Sequence, residues 1–553
     1  MVFVGFGDDE AYTLVIARHW ALSYFDHPPL HQWIAHGFVA LVGEGHVDRL
    51  PFWALLVAAN LPLYGLTNRL FGRDAGLWAL FAFNASAYFL VLPDGYILPD
   101  AALLPLLAAA VWAIVEVTFE ESVDSQPDSH GALRPPLPAR GESPSTGSGG
   151  VRGRLRDGAA SVFAGYSFGE SSAAEPAPHP NSLPASGERG SPAAVGSTAG
   201  AWALWLAGGA ALGLAGLAKY LAVFVPLGLF GFFVFSPLHR RWFARPEPYV
   251  AAALALATFS PALIWNAENG WVSFAFQTSR GSGGWSFDGR AWGGALDTAL
   301  EQAASLTPWV MVPVVISLVA AARAKADSGE RLLLWLTVPT LVVFALLPFD
   351  GKRAIPHWFN SGWLFACPLA GAWLAARTPR RVALWAKISA ALSLALVAIY
   401  LPVVMLGPTR ALPFLPPLAH DPTGASFDWP DLSSSAPWRA GGPPAFVVVE
   451  HWRDAGRVGI AFGPSVPVCL FGLDPRELAF ACDSRDFVGR DALIVAPAGG
   501  LAPRIAALAP YFERIDPAEI VAIGRFGATE RRLALARAHN LLRPYPLPYG
   551  PGR

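Results

Sequence analysis

Carboxylates and basic side chains recur in this chain at the boundaries of long apolar segments. An acidic pair, Asp9-Glu10, stands near the start, and a second carboxylate follows in the turn that contains Asp26-His27. A positioned carboxylate can remove a proton from a hydroxyl group, and a fixed cation can stabilise charge that develops on a phosphate. The other candidates for such chemistry are Asp100, Lys219, Arg280, Lys352, Arg353 and His357.

The two N-terminal candidates also have a simpler structural interpretation. Asp9-Glu10 is compatible with solvated charge near the start of a chain. Asp26-His27 is compatible with a cap on the helix that Pro28-Pro29 opens, because proline suits the first helical turn. These alternatives remain open from the residues alone.

The later candidates are equally open to structural interpretations. Asp100 precedes an apolar run, as a helix N-cap does. Lys219 is compatible with a lysine that reaches from a helix end to the membrane surface, and His357 with an interfacial histidine. The sequence has no P-loop, GxSxG, HExxH or dinucleotide-binding motif that would indicate another activity.

The composition indicates which kind of protein positions these residues. Of the 553 residues, 53% are hydrophobic and only 15% are charged, whereas soluble proteins have about 25% charged residues. The 40 basic and 41 acidic residues nearly cancel, which argues against a nucleic-acid-binding protein. With three cysteines, a disulfide scaffold and a multi-cysteine metal cluster are excluded. The sequence therefore predicts an α-helical integral membrane protein.

Apolar segments long enough to cross a bilayer need about 20 residues each. The stretch 201–235 is too long for one crossing, at about 52 Å as a single helix, so we divide it at Lys219-Tyr220. Ten spans are predicted, at residues 51–70, 75–92, 101–119, 201–217, 221–235, 249–265, 306–322, 332–347, 361–376 and 382–406.

The distribution of charge predicts the orientation of these spans. If the N-terminus lies outside, basic residues gather in the inside loops, at Arg69, Arg73, Arg240, Arg241, Arg245, Arg323, Lys325, Arg331, Arg377, Arg380 and Arg381. The outside loops then carry mainly carboxylates. This is the positive-inside pattern, and it places all the candidate site residues at the outer face.

The first 50 residues contain no predicted span. Residues 11–50 mix polar and apolar side chains at helical spacing, which predicts one or two amphipathic helices at the outer interface, interrupted at residues 26–29. An outside N-terminus usually needs a segment that delivers it, so we expect the true start to lie upstream with one further helix. The alternative is that the span 51–70 orients the protein alone.

Two further regions differ from the membrane part. Residues 120–200 are rich in Pro, Gly, Ser and Ala, which predicts a disordered cytoplasmic insert without catalytic content.

Residues 407–553 are predicted to form a small α/β domain outside, with strands near 445–450, 459–461, 466–471, 492–496 and 519–523 and a helix at 530–539. Cys469 and Cys482 fall in this domain, where a disulfide or two free thiols are both possible. The remaining divisions are an N-terminal catalytic part at 1–119 and the rest of the bundle at 201–406.

The order of the polar motifs resembles bacterial glycosyltransferase family 39, the group related to dolichyl-phosphate-mannose protein mannosyltransferases and to the aminoarabinose transferase of lipid A. The most specific parts are Tyr-Phe-Asp-His-Pro-Pro-Leu at 24–30 and Trp-Asn-Ala-Glu-Asn-Gly-Trp at 265–271. The resemblance covers about residues 8–376 except the insert. In that family the acidic pair follows a first transmembrane helix, which here would have to precede Asp9-Glu10.

The resemblance implies a GT-C-like multi-span bundle that takes a sugar from a polyprenyl-phosphate donor. The acceptor would be a glycolipid, glycan or protein at the periplasmic face of a bacterial inner membrane, with a role in the cell envelope such as lipopolysaccharide modification. By this resemblance Asp9 is the expected general base, with Glu10 as its partner or alternative. The expected phosphate ligand is Lys219, ahead of Arg280, Lys352 and Arg353.

The remaining site residues receive supporting roles under the same resemblance. Asp100 would bind sugar hydroxyls or orient the acceptor. Asp26, His27 and His357 would form a polar second layer or hold a divalent metal ion, since a carboxylate with two histidines can ligate a metal. The competing hypotheses are a transporter or flippase of lipid-linked sugars and a non-catalytic relative. A transporter usually has charged groups near the bilayer midplane, whereas these residues are predicted at one face.

Overall fold

The computed structural model describes residues 4–90, 97–124, 198–279, 283–323, 326–414, 421, 423–424, 426–439, 442–525 and 528–551. Two sequence predictions concern residues outside these ranges. They are Arg280 and most of the predicted insert at 120–200.

Helices make up most of the described chain. Up to residue 124 they are α1 (Asp8–Ala17), α2 (Leu30–Val42), α3 (Leu50–Ala58), α4 (Asn60–Phe71), α5 (Arg73–Ala85), α6 (Ala87–Leu90) and α7 (Pro99–Asp124). The central and later membrane part contains α8 (Thr198–Ala218), α9 (Phe224–Phe235), α10 (Glu247–Glu268), α11 (Val272–Ser279), α12 (Gly289–Leu306), α13 (Pro308–Arg323), α14 (Ser328–Leu346), α15 (Asn360–Ala375) and α16 (Pro379–Leu406). Short 3-10 helices cover His46–Arg49, Tyr220–Val223, Arg240–Ala244, Leu347–Asp350 and Pro356–Phe359.

Each of the ten predicted spans overlaps at least one of these helices. Among the described residues, however, only six helices are both long and apolar enough to cross a membrane alone. They are His46–Phe71, Pro99–Phe119, Thr198–Ala218, Glu247–Glu268, Ser328–Asp350 and Pro379–Leu406. A seventh span results if α12 and α13, which are bent by 110° relative to each other, are counted as one broken span. The protein is therefore a multi-span membrane protein in which several helices are shorter than a full crossing.

The predicted division at Lys219-Tyr220 is correct. Helix α8 ends at Ala218, and Lys219 adopts an extended conformation with φ −157° and ψ 136°. The chain then turns through a 3-10 helix into α9. This break leaves Lys219 at the end of the bundle rather than within a helix.

Glycines on α8 allow it to lie directly against α10. A Cβ atom added at Gly209 would stand 2.3 Å from the carbonyl oxygen of Ala251, and one at Gly213 would stand 2.5 Å from Thr258 Cβ. Small residues that allow close backbone approach are a common basis of helix packing in membranes. The two helices run in the same direction, so the C-terminal ends of both lie at one end of the bundle.

The N-terminal helix differs from its prediction. Residues Ala11 to Ala17 of α1 are buried on all sides, so the prediction of an amphipathic helix at the interface is wrong for α1. The reason is that the C-terminal domain covers it: Tyr12 and Ile16 belong to the same buried cluster as Val447 and Leu493 of the sheet. The predicted break at 26–29 is confirmed, since α2 begins directly after Pro29.

Six strands form one sheet in the C-terminal part of the chain. They are β1 (Phe446–Val449), β2 (Val468–Leu470), β3 (Ala492–Pro497), β4 (Phe512–Ile515), β5 (Glu519–Arg525) and β6 (Ala528–Leu541). The helices around it are α17 (Pro408–Ala411), α18 (Asp431–Ser434), α19 (Ala436–Arg439), α20 (Trp452–Phe462), α21 (Leu478–Ala481) and α22 (Leu501–Leu508). Two 3-10 helices of this domain cover Ser484–Phe487 and Ala509–Tyr511.

The sheet runs in the order β2-β1-β3-β6-β4, and β5 also pairs with β6. Strands β1, β2 and β3 are parallel, whereas β6 is antiparallel to β3, β4 and β5. Two sequence predictions are wrong here: residues 459–461 lie in α20, and residues 530–539 lie in β6. The second error arose because helix-forming residues occupy a strand that is paired along both edges, where tertiary pairing overrides propensity.

Cys469 and Cys482 form a disulfide, with their Cα atoms 5.3 Å apart. The bond joins β2 to the turn after α21. Of the two possibilities that the sequence left open, the structure has the paired form.

Candidate functional site

A buried ion pair occupies the end of the helical bundle. The Nζ atom of Lys219 donates to Oδ2 of Asp100 at 2.6 Å, and Nδ2 of Asn360 donates to Oδ1 of the same carboxylate at 2.9 Å. The side chains of Asp100 and Lys219 are only 2% and 4% exposed. These three residues stand at the start of α7, the end of α8 and the start of α15. Three helix ends therefore bring them together.

One histidine lies close to this ion pair. His31, at the start of α2, is buried. Its ring lies 5.6 Å from that of His27, between centroids. Burial, with the charge of Lys219 as a second cause, lowers the pKa of His31 to about 3. His31 is therefore neutral at physiological pH.

Glu10 is held by an arginine from the segment before α3. Arg49 donates through Nε to Oε1 of Glu10 at 2.9 Å and through Nη2 to Oε2 at 2.5 Å. The backbone N–H of Ile97 donates to the same carboxylate at 3.3 Å, two residues before α7. Glu10 is fully buried. This geometry suits a residue that fixes the first turn of α1 beside the start of α7.

The two other carboxylates of that turn have different surroundings. Asp8 forms an ion pair with Arg457 of α20, at 2.7 Å. Asp9 lies between Asp8 and Glu10 and is half-buried. Since its neighbours on both sides are anchored to arginines, the backbone that carries Asp9 is fixed. Asp8 and Asp9 are both partly exposed, whereas Glu10 is buried.

Asp26 contacts both α1 and the C-terminal domain. Tyr12 donates its hydroxyl proton to Oδ2 of Asp26 at 2.6 Å. Arg476 forms an ion pair with Oδ1 at 3.1 Å. Asp26 is only 3% exposed. Its charge is therefore balanced by Arg476 rather than by water. The next residue, His27, has its ring 5.6 Å from that of His31, between centroids.

Helix α11 supports the Asp26 turn from the other side. Gln277 donates to the carbonyl oxygen of Asp26 at 2.7 Å, and Ser273 Oγ donates to the carbonyl oxygen of Tyr24 at 3.1 Å. Asn266 accepts from the backbone N–H of Ser273 at 3.2 Å. The two runs that carry the family resemblance, at 24–30 and 265–271, therefore meet in space.

The remaining predicted residues have separate positions. His357 lies one turn before Asn360, and burial lowers its pKa to about 4. Lys352 and Arg353 line a different cavity, of about 720 Å³, beside α12, where Arg353 pairs with Glu301. The structure does not place this cavity at the Asp100–Lys219 pair. Arg280 lies outside the described residues.

The structure does not support a metal site among the predicted ligands. Within the described ranges, no group of three or more His, Cys, Asp or Glu side chains is arranged to hold a metal ion. The carboxylate of Asp26 is instead committed to Tyr12 and Arg476. Asp26, His27 and His357 are consistent with a polar layer around the site.

Several residues of this site were missed in the sequence. Asn360 could have been identified from the sequence, because it is a polar residue at the start of an apolar span. Tyr12 and His31 could also have been identified. Tyr12 lies about one helical turn from the predicted Asp9, and His31 about one turn from the predicted His27. Nothing in the sequence indicated Arg476, because 450 residues separate it from its partner Asp26.

Comparison with known proteins identifies the fold that carries this site. A family model for dolichyl-phosphate-mannose-protein mannosyltransferase matches residues 26–124 and 194–265. The crystal structure of ArnT from Cupriavidus metallidurans in the apo state matches with a TM-score of 0.56 at 13% identity, covering 97% of this chain and 94% of that chain. ArnT from the same organism bound to undecaprenyl phosphate matches with a TM-score of 0.55 at 15% identity and the same coverage. The chain has the GT-C fold. A search of curated protein sequences gives no match.

The family match agrees with the motifs that suggested it. It begins at Asp26, within the run 24–30, and ends at Trp265, where the second run starts. The resemblance is confirmed for these two segments, which together make up less than half of the chain. In this GT-C bundle, the matched residues include Asp26, Asp100 and Lys219, whereas Asp9 and Asn360 lie beyond the matched segments.

Proposed function

We propose that this protein is a membrane glycosyltransferase that moves a hexosyl or pentosyl unit from a polyprenyl-phosphate donor to a glycolipid, glycan or protein acceptor. The observation that carries the proposal is the buried Asp100–Lys219 pair at one end of a GT-C bundle. Contacts of Glu10 with Ile97 and of Tyr12 with Asp26 support the placement of α1, which carries Asp9, beside this end. The ArnT fold, solved with undecaprenyl phosphate bound in one crystal structure, supports a lipid phosphate as the donor's carrier.

Asp9 is the proposed general base. In the reaction, the acceptor oxygen forms a bond to the anomeric carbon of the sugar, and the bond from that carbon to the phosphate oxygen breaks. The proton of the acceptor hydroxyl passes to Asp9, and the polyprenyl phosphate leaves with the bonding electrons. A positioned base of this kind contributes roughly 10²–10⁴-fold to a rate. The ion pairs of Asp8 and Glu10 support this role because they fix the turn that carries Asp9.

Lys219 is the proposed cation that faces the donor phosphate. Its ammonium group is buried at the bundle end, where charge interactions are stronger than in water. Asp100 accepts from this ammonium group, and Asn360 donates to Asp100 and holds it in place. The neutral His31 adds a polar group without adding a competing charge. Asp26, His27 and His357 complete the polar lining of the site.

We place the site at the periplasmic face of a bacterial inner membrane. The positive-inside pattern supports this orientation. The Cys469–Cys482 disulfide supports it independently, because disulfides persist in oxidising compartments such as the periplasm. Charged residues that gather at one end of the bundle favour surface chemistry over transport through the midplane.

Binding of undecaprenyl phosphate tests the donor assignment directly. Native mass spectrometry of the purified protein should detect the bound lipid, and Lys219→Met should weaken binding about tenfold or more, as expected for loss of a charge-assisted contact. Lys387→Met is the matched control, because Lys387 is exposed on α16 and should leave binding unchanged. Equal affinity of the Lys219→Met and unmodified proteins would refute the assignment of Lys219.

A further inference from the structure

Arg476 of the C-terminal domain reaches the Asp26 turn from outside the bundle. Its Nη1 atom lies 3.1 Å from Oδ1 of Asp26. The Arg476 side chain is 17% exposed and that of Asp26 is 4% exposed, so the pair is largely shielded from water. Ion pairs of this kind are costly to break on one side only, because the remaining charge stays buried.

Two contacts hold Arg476 in place, and its backbone has an unusual conformation. Its guanidinium lies 3.9 Å from the ring centroid of Trp452 at the start of α20. Its backbone N–H donates to the hydroxyl of Tyr549 at 2.8 Å. Its φ angle is 50°, in the left-handed region that a non-glycine residue occupies only at a cost of about 1–2 kcal/mol. A side chain fixed in this way can in turn fix its partner.

The next residue, Glu477, contacts the same elements. The backbone N–H of Phe25 donates to Oε2 of Glu477 at 2.6 Å, and the backbone N–H of Glu477 donates to the hydroxyl of Tyr12 at 3.0 Å. Tyr12 itself donates to Asp26. The dipeptide Arg476-Glu477 is thus joined to α1 and to the Asp26 turn through three polar contacts.

These contacts link the two segments that carry the proposed site. Tyr12 lies one helical turn after Asp9 on α1, and Asp26 immediately precedes His27. If Arg476 is lost, Asp26 keeps Tyr12 as a hydrogen-bond donor but loses its cationic partner. The buried carboxylate would then be expected to move towards water and to carry Tyr12 and the Asp26-His27 turn with it.

We infer that Arg476 is a positioning residue for the transfer reaction, supplied by the C-terminal domain, and that its charge on Asp26 sets the geometry between Asp9 and the Asp26-His27 turn. The inference rests on the proposed function. If the inference holds, the C-terminal domain contributes a residue to the proposed active site. Misplacement of reacting groups by about 1 Å can cost about 10²-fold in rate.

Two substitutions separate the charge of Arg476 from its bulk. Arg476→Gln removes the charge and keeps a long polar side chain, whereas Arg476→Lys keeps the charge. We expect Arg476→Gln to reduce the glycosylated product in cells by about 10- to 100-fold, because reacting groups that are misplaced by about 1 Å can lose about 10²-fold in rate. Arg476→Lys should recover much of this loss. Arg485→Ala, which breaks an exposed ion pair with Asp483 in the same domain, is the control and should retain full activity.

A second readout does not depend on activity. Hydrogen exchange measured by mass spectrometry should show faster exchange in peptides that cover residues 8–28 of Arg476→Gln, and slower exchange again in Arg476→Lys. Full activity of Arg476→Gln, or equal losses in both variants, would overturn the inference. If the unmodified protein transfers no sugar at all, the proposed function fails, and the exchange rates still decide whether Arg476 fixes this segment.

Discussion

The guanidinium of Arg476 lies 3.1 Å from the carboxylate of Asp26, although 450 residues separate them in the chain. This ion pair joins the C-terminal domain to the turn that carries the Asp26-His27 motif. The same domain buries Tyr12 and Ile16 of α1 in its own core. The helix that bears Asp9 is therefore positioned by the domain and by the membrane bundle together.

The buried Asp100–Lys219 pair gives a test that separates stability from function. Lys219→Met leaves a buried carboxylate without its cation, and breaking such a pair typically costs about 3–5 kcal/mol. The double variant Asp100→Leu/Lys219→Met removes both charges and should regain much of that stability. We expect the thermal melting temperature to recover in the double variant while sugar transfer stays lost. Recovery of transfer together with stability would show that the pair is only structural.

The contact between α1 and α20 depends on a glycine. A Cβ atom at Gly456 would stand 2.3 Å from the backbone nitrogen of Tyr12, so a side chain there must push the two helices apart. Gly456→Ala should lower the free energy of unfolding by about 1–3 kcal/mol, as overpacking does. Gly499→Ala is the control, because a Cβ atom there would meet nothing within 4 Å. Equal melting temperatures for the two variants would contradict this packing.

The carboxyl group of Glu477 gives a prediction for pH. Burial, with the charge of Asp26 as a further cause, raises the pKa of Glu477 well above its ordinary value. Because the folded-state pKa is the higher one, the stability that this group contributes is present at low pH and is lost as the pH rises through the raised pKa. The junction should therefore weaken from about pH 5 towards alkaline pH.

Glu477→Gln provides the comparison for that pH dependence. The glutamine keeps an oxygen that can accept from Phe25, but it does not ionise. We expect the rate of hydrogen exchange in residues 8–28 to rise with pH more steeply in the unmodified protein than in Glu477→Gln, after correction for the intrinsic exchange rate. Parallel profiles would mean that Glu477 does not titrate in this range.

The disulfide contributes to the stability of the C-terminal domain. Cys469 and Cys482 are separated by 13 residues, and closing a loop of about this length stabilises a domain by roughly 3 kcal/mol in the chain-entropy model. The double substitution Cys469→Ser/Cys482→Ser should lower the melting temperature of the domain. Thiol labelling with and without prior reduction would report the bond itself. Full labelling of both cysteines without reduction would contradict the pairing.

The sequence predicted the helices and their breaks better than it predicted the site. Spans are read from continuous apolar runs, so local information suffices, and the length of the stretch 201–235 alone required the break at Lys219-Tyr220. The misassigned segments were those whose state depends on neighbours. Residues 530–539 form a strand because β3, β4 and β5 pair with it, and α1 is buried because the C-terminal domain covers it.

The site was predictable only where a motif or a helix end marked it. Asp100 and Lys219 were identified as separate residues at helix ends, but their pairing needs the antiparallel arrangement of α7 and α8. Glu10 was predicted as the partner of Asp9 or as the alternative base, but its ion pair with Arg49 could not be predicted from the sequence. Arg476 lies in a domain with no motif, so only the folded chain relates it to Asp26.

The most direct test of the account compares envelope glycans and glycolipids by mass spectrometry in cells that carry the unmodified protein, Asp9→Asn or no copy of the gene. Glu513→Gln, an exposed carboxylate on β4, serves as the matched control. We predict that one sugar-bearing species is present with the unmodified protein and the control, and absent with Asp9→Asn although that protein is made in equal amount. The same species at normal level with Asp9→Asn would contradict the account.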